Sequence, residues 1–582
     1  MTTTRTSLEL LVGVLLLVAG CTSKREISAP TENALRIPLE AKVTSLDPHR
    51  TTDAYSSVSQ SVAYESLFQF HYLKVPMTPV PALAESMPVF SKDRKTLTIK
   101  LKKGVHFQDD PCFTSTGGKG PEFTAADVIY FFERIAEPKL ASPVFGTFEH
   151  KVVGIDEFHA GKAKTVAGVR ALDPYTVEVR TVVPMPRFAL DFTDTHGAIL
   201  SKECVQNLGE RINTYAVGTG PFKITEANLG SKIVAVRNPT FRHDTYPNEG
   251  SAEDRKNGLL DDAGKTVPFV DKITFEIFAE RQPMWLKFKA GQLNHSKIPK
   301  DFIPTELAGG KPSAELAALG VQHYKRAKGD VTVNIFNMDD PIWGKNKKLR
   351  QAVALAMDVP QIIALGYSGQ AIRAQSMVDP TQYGYDTNFH SRWSTRDVAK
   401  AKQLMAEAGY PDGKGLPPID FPSADGTTQR QFNEMTERQL AEIGVTLKTD
   451  MLTWPEYDAR MRQKQFQMTM MGEASSVPDI DDSTQLWHSR NAAPGPNSAS
   501  YRNPVVDSLV EKIEALDNGP ERMAVIAKAK AIMDDDLPYV ALVHRIGNQF
   551  FQKWVKNTTF IDDLFIGCFA KYLRVETATA KK

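Results

Sequence analysis

The sequence predicts an α/β protein. Three observations carry that expectation: apolar residues at helical spacing in several segments of the second half, period-two alternation in the stretches between them, and glycines at the junctions. Strands that alternate with helices imply a sheet with parallel pairs. The 582-residue length corresponds to roughly three to four domain-sized units.

The elements follow in order. Alternation opens the folded part and breaks at Ser45-Leu46-Asp47-Pro48. Leu97, Ile99 and Leu101 alternate with Thr98, Lys100 and Lys102, which predicts a half-buried strand ending at Gly104. Asp109-Asp110-Pro111 and a glycine-rich loop, Thr116 to Pro121, come next. Thr124 is then a helix N-cap with Asp127 as a shortened capping box, and Phe123 and Val128 form a hydrophobic staple. Val128, Ile129, Phe132 and Ile135 share the buried face of that helix.

In the second half Leu349, Ala352, Val353, Ala356 and Met357 mark one helix. Ser394 and Asp397 cap another, which packs Val398, Ala401, Leu404, Met405 and Ala408 and stops at Gly409. Phe432, Met435, Leu440 and Ile443 mark a third, ending at Gly444. Val445, Leu447, Thr449 and Met451 alternate immediately after it as a strand. A short helix near Pro455 to Arg462 leads to a further strand from Phe466 to Met470. The loop Gly472 to Asp479 lies at that strand's carboxyl end, where open α/β sheets bind ligands. Its small residues let a ligand approach the backbone.

The start of the chain reads as an export signal. Arg5 precedes an apolar run, Leu10 to Ala19, with Glu9 inside the hydrophobic approach to it. The run is too short for a membrane-spanning helix of about 20 residues and fits a signal peptide. Val18-Ala19-Gly20-Cys21 resembles a bacterial lipobox, which implies cleavage before Cys21 and its lipidation. Acyl chains bury roughly 0.8 kcal/mol per methylene, so several on one Cys anchor firmly. Residues 1–20 are thus a signal peptide and 21–33 a tether, and the protein is expected as an exported periplasmic or cell-surface lipoprotein.

Composition excludes some classes. A net charge of +1 argues against a nucleic-acid binder, which needs a basic surplus. Cys112, Cys204 and Cys568 allow at most one disulfide, and buried free thiols are the simpler expectation. No GxSxG, HExxH or P-loop is present, and Gly413-Lys414-Gly415 lacks the phosphate-loop spacing. The twelve His residues are scattered, with no pair suited to a metal. Asp534-Asp535-Asp536 and Asp481-Asp482 read as solvated acids. A secreted hydrolase is therefore the remote alternative, and no cofactor is expected.

The order of motifs resembles the family 5 solute-binding proteins of ABC importers, of the oligopeptide- and dipeptide-binding type. The residues that carry the resemblance run through nearly the whole mature chain: Ser45-Leu46-Asp47-Pro48-His49, Tyr64-Glu65-Ser66-Leu67, Pro81-Ala82-Leu83-Ala84-Glu85-Ser86, Lys100 to Phe107, Phe123-Thr124-Ala125-Ala126-Asp127-Val128, Val217-Gly218-Thr219-Gly220-Pro221-Phe222, Arg237-Asn238-Pro239, Leu349-Arg350-Gln351-Ala352-Val353 and Glu407-Ala408-Gly409-Tyr410-Pro411.

The resemblance implies a two-lobed periplasmic-binding-protein fold (type II, cluster C-like) with an extra inserted α+β domain. Lobe I would comprise 34–66, 196–284 and 536–582, the inserted domain 67–195, and lobe III 285–535. Hinge closure would trap a peptide or other small solute and present it to permease and ATPase subunits. The chain would act as a monomer and not as an enzyme. The implied cleft residues are Thr52, Asp53 and Ala54; Val144 in the Ala141-Ser142-Pro143-Val144 stretch; and Met470, Gly472, Glu473, Ala474, Ser475, Ser476 and Asp479. The last group departs from the family pattern, which has Gly-Trp and then an Asp. Glu473 stands where the Trp is expected, and Ser475 and Ser476 stand near the Asp. Glu473 or Asp479 would then hold a ligand amine. Members of the family also take nickel complexes, haem and sugars, or serve sensory receptors, so a non-peptide solute and a sensing role stay open.

Overall fold

The computed structural model describes residues 27–475, 477–492 and 495–578. Three sheets organise them. In the first, Ala34–Leu39 pairs in parallel with Lys272–Ile277, which pairs antiparallel with Lys232–Arg237, itself antiparallel to Phe222–Asn228. The second is an antiparallel sheet in the order Val89–Phe90, Thr96–Lys100, Thr176–Arg180, Val169–Asp173. Leu97 and Ile99 are fully buried while Lys100 is exposed, as the alternation predicts.

Helix Ala125–Ile135 packs over this second sheet. Its capping box is complete: the Thr124 amide donates to Asp127 Oδ2 at 2.8 Å, and Thr124 accepts from the third helical residue. Phe123 and Val128 are both buried. The first and second sheets share one continuous core, in which Leu35, Phe275, Leu97, Phe132 and Phe569 belong to the same cluster.

The third sheet is built on one long strand, Tyr539–Phe551. It pairs antiparallel with His295–Lys297, Gln322–Ala327, Asp330–Phe336 and Ala371–Arg373. Met468–Ala474 pairs antiparallel with the other edge of Asp330–Phe336. All seven residues of Asp330–Phe336 are buried, because helices cover both faces. Helices Lys347–Ala356, Val398–Glu407 and Thr427–Ala441 form one cover, and Trp454–Arg462, Pro504–Ala515 and Pro520–Asp536 the other.

Parallel pairing is rarer than the alternation of elements implies. Among the described residues it joins Ala34–Leu39 to Lys272–Ile277 and Ile419–Ala424 to Leu447–Leu452. The reason is long-range: the late strand Tyr539–Phe551 returns between earlier strands and runs against them.

One further local expectation needs correction, and one holds. Asp397 alone caps the second-half helix, accepting from the Lys400 amide at 2.9 Å, while Ser394 donates to the Ser391 carbonyl at 2.8 Å. Gly444 does end its helix: φ is 82°, and a Cβ there would meet the Asp412 backbone at 2.4 Å.

The thiol expectation is also corrected. Cys112 and Cys204 form a disulfide, closing a sequence separation of 92, and among the described residues only Cys568 is free. The bridge ties the loop after Asp110 to helix Lys202–Leu208, where Glu203 also accepts from the Ser115 amide at 2.7 Å. Persistent disulfides belong to oxidising compartments, which fits an exported chain. The export signal and Cys21 lie outside the described residues. No helix among the described residues is long and apolar enough to cross a membrane.

Candidate functional site

A cavity of about 600 Å³ lies where the first and third sheets meet. One wall comes from the end of strand Ala34–Leu39, the start of helix Ala54–Gln60, and the loop 71–77. The facing wall comes from the turn Lys328-Gly329-Asp330, from Thr381, and from Ala474 and Ser475 at the end of their strand. The C-terminal segment 559–566 closes the base.

Local structure explains how these groups are held. Asp53 caps helix Ala54–Gln60: its Oδ1 accepts from the Ser56 amide at 2.9 Å, and Oδ2 accepts from Thr44 and Thr51 hydroxyls. Burial opposes its ionisation, but these hydrogen bonds outweigh it and hold the carboxyl below its ordinary range. Asp53 therefore positions the wall without lining it. Ser475 is fixed by three bonds. Its amide donates to the Gly329 carbonyl at 2.8 Å, its hydroxyl donates to the buried Asp379, and Gln382 Nε2 donates to its oxygen at 2.9 Å.

The walls are strongly charged. Glu40 accepts from Arg281 Nε at 2.7 Å and from Lys297. Lys297 also reaches Asp563 at 3.2 Å, and Lys328 approaches the same carboxylate at 3.4 Å. Burial alone would raise Asp563, but Lys297, Lys328 and His295 bring it down to about 2. Arg545 pairs with Asp330 at 2.8 Å. Burial pushes His295 down to about 4, so this wall imidazole is neutral, and both ring nitrogens lack hydrogen-bond partners among the described residues.

Of the residues singled out in the sequence, Ala54, Ala474 and Ser475 lie on this cavity. Thr52 lines a separate cavity of about 180 Å³, with Leu564 and Phe565 forming the partition between the two. Val144 is buried in the shared core of the first two sheets. Met470 is buried under the helices of the third. Gly472 is exposed beside open space. Ser476 lies outside the described residues.

Neither carboxylate considered for the amine lies on the cavity. Asp479 is 1% exposed and gripped by Arg522 through two bonds, at 2.6 and 2.8 Å. Asp481, expected to be solvated, is held in the same cluster by Arg522 and by Arg187. Arg187 comes from the segment after the second sheet and also donates to the Glu514 and Leu516 carbonyls, each at 2.8 Å. It thereby caps the negative end of helix Pro504–Ala515 and ties the second sheet's body to the third's.

Sequence reasoning missed the charged wall: Glu40, Arg326, Lys328, Asp562, Asp563 and Arg545. The Lys328-Gly329-Asp330 stretch interrupts one edge of the third sheet, where Gln322–Ala327 and Asp330–Phe336 both pair with Tyr539–Phe551. Nothing local placed Asp563 beside Lys297, 266 positions earlier.

A sequence profile described as bacterial extracellular solute-binding proteins, family 5 (middle) matches residues 78–494. This chain belongs to family 5 of the extracellular solute-binding proteins. Its relatives include the dipeptide-binding protein of Escherichia coli K12, 25% identical over 85% of both chains. Heme-binding protein A of Haemophilus influenzae is also 25% identical, over 85% of this chain and 83% of that one. Among solved structures, the periplasmic binding protein DppA of Helicobacter pylori, in complex with the peptide STSA, superposes with a TM-score of 0.70 at 24% identity. It covers 96% of this chain and 100% of its own. HbpA2 of Haemophilus parasuis gives 0.74 at 21%, over 93% and 100%. The binding protein thus has the two-lobed α/β fold of this family.

Glu473 gives the binding protein a pH signature. Burial pushes its carboxyl up to about 7 despite Lys464 nearby, and its Oε1 has no hydrogen-bond partner among the described residues. The unfolded value lies near the ordinary 4.5. Between those values the native chain holds a proton the unfolded chain has lost, so stability falls as pH rises through that window. Glu473→Gln is expected to flatten the fall, worth up to about 3 kcal/mol. Urea unfolding of both chains at pH 5 and pH 7.5 reads it, and an unchanged slope in the variant would show that Glu473 is not its source.

Proposed function

We propose that this binding protein captures a peptide-like solute in the cavity between its lobes and delivers it to an ABC permease driven by separate ATPase subunits. The cavity carries the reading. At about 600 Å³ it has the size of a small-molecule site, and both lobes and the C-terminal segment wall it. Solute contacts to both sides favour the closed arrangement only insofar as they are better there than in the open one. The chain works as a monomeric, non-enzymatic carrier, lipid-anchored through Cys21 on the periplasmic or outer side of a membrane.

The lobe assignment is part of the proposal: 34–66, 196–284 and 536–582 as lobe I, 67–195 as the inserted domain, and 285–535 as lobe III. Strand Tyr539–Phe551 pairs along the third sheet, which favours moving the last boundary past residue 551. A non-peptide solute is the second reading. The observation that favours it is the engagement of Asp479 by Arg522, which leaves the 472–479 loop without a described carboxylate on the cavity.

Native mass spectrometry of the purified mature chain, followed by denaturation, tests the assignment. A released peptide is the expected result. A released solute with no peptide bond would keep the carrier role and overturn the peptide assignment.

A further inference from the structure

The lobe built on the third sheet holds a further cavity, which shares no lining residue with the solute cavity. It measures about 40 Å³ and lies between the end of helix Pro520–Asp536, the start of strand Tyr539–Phe551 and the segment 373–393. Two cations line it. Lys530 is 3% exposed, and its ammonium lies 4.5 Å from the centroid of the Phe389 ring. Among the described residues it makes no hydrogen bond and no ion pair. Arg373 donates through Nε to the Ser394 carbonyl at 3.2 Å, and through Nη1 to the Ala374 and Leu542 carbonyls, each at 2.8 Å. These acceptors are neutral, and among the described residues no carboxylate reaches Arg373 at ion-pair distance. The buried Arg134 and Arg522, by contrast, rest on Asp47 and Asp479.

The rest of the wall supplies more donors than acceptors. The indole N–H groups of Trp393 and Trp487 have no partner among the described residues, and Trp487 is 1% exposed. Asp534 is the lining's one carboxylate, and Arg392 engages it through its amide at 3.4 Å and its guanidinium at 3.6 Å. Asp534 follows Lys530 by about one helical turn yet lies beyond ion-pair distance of it. The acid whose charge reaches Lys530 is Asp386, also beyond that distance and outside the lining, where it accepts from the Asn388 amide at 2.9 Å. Burial lowers Lys530 to about 8 against the pull of Asp386, and burial alone lowers Arg373 to about 10. Two charges are thus drawn out of water with no carboxylate on either, a cost that a bound anion recovers.

We propose that this cavity binds a carboxylate, held between the Lys530 ammonium and the Arg373 guanidinium, with an indole N–H as a further donor. A water needs about 10–15 Å³ of such space, so the cavity takes about three heavy atoms, the number in a carboxylate. Carbonyls occupy Nε and Nη1 of Arg373, which leaves Nη2 for the anion. The half-buried Phe389, Ser391 and Trp393 form the outer side, where the remainder of a longer acid passes out. The site is independent of the solute cavity and of what that cavity binds.

The test follows the indole N–H signals of the full mature chain by NMR at pH 7, during titration with sodium acetate at constant ionic strength. Six tryptophans report, and among the described residues none lines the solute cavity, so acetate bound there does not mimic the result. Trp393→Phe and Trp487→Phe assign the two signals. A saturable shift of one or both is expected with acetate and not with sodium chloride. In Lys530→Met the acetate affinity should fall by about tenfold or more, as loss of a charge-assisted contact does. That variant removes an unpaired buried charge, so it should melt above the acetate-free wild type, and saturating acetate should narrow the gap. Hexanoate separates the sources: affinity equal to acetate's marks a free small acid, and tighter binding marks the end of a longer one. A wild-type shift that does not saturate, an equal response to chloride, saturation by phosphate without acetate, or unchanged acetate affinity in Lys530→Met overturns the proposal.

Discussion

Asp479→Ala is expected to destabilise the lobe built on the third sheet by about 3 kcal/mol, while solute affinity of the folded fraction stays at the wild-type level. Asp479 and Arg522 have side chains 2% and 0% exposed, and their two parallel hydrogen bonds neutralise a charge that water does not reach. Removing one partner of a buried pair costs about 3 to 5 kcal/mol, mainly from the charge left behind. The lower end applies here because Arg522 keeps Asp481 at 2.7 Å, Asn518 at 2.6 Å and the Ile513 carbonyl at 2.9 Å. Burial, together with repulsion from Asp479, raises Asp481 to about 6, so the variant also relieves one like-charge contact. Urea denaturation gives the stability, and calorimetry gives the affinity. Unchanged stability with lost affinity would make Asp479 a solute-binding group and contradict its structural assignment.

The contrast between Asp479 and Thr124 shows what the sequence discloses. Thr124 and Asp127 are three positions apart, and their capping box depends only on the local backbone, so it was legible at once. The same holds for the buried Leu97 and Ile99 and for the stop at Gly444. The place of Ala474 and Ser475 on the cavity wall was legible for a related reason: alternation located the strand, and strand ends line clefts. Asp479 sits in that same loop, yet its partner lies 43 positions away on a helix, and the pattern gave no sign of it. Cys112 and Cys204 are a comparable case, because only the approach of a loop to a helix makes them a bridge. The charged cavity wall was least legible. It is assembled from positions 40, 297, 326, 328 and 563, which no local rule joins.

The resemblance to the family supplied the two-lobed fold, and the fold placed the loop. It could not supply the solute's partners, since this chain departs from the family at Glu473 and its neighbours. Glu473 points away from the cavity, in the field of Lys464 and near Tyr457 and Tyr539. An acid in the right loop thus faced the wrong side of its strand, as period-two geometry allows for adjacent residues.

The largest effect on function is expected from Ala474→Trp. Ala474 is exposed, ends its strand, and lies on the cavity wall opposite helix Ala54–Gln60. An indole there occupies the space the solute needs, whereas a substitution at an exposed site changes stability by only about 0.5 kcal/mol. Calorimetric titration of the solute released from the wild-type chain, into wild type and Ala474→Trp, tests the central claim most directly. Loss of measurable binding with an unchanged unfolding transition is the predicted result. Wild-type affinity in Ala474→Trp would place the solute outside the interlobe cavity.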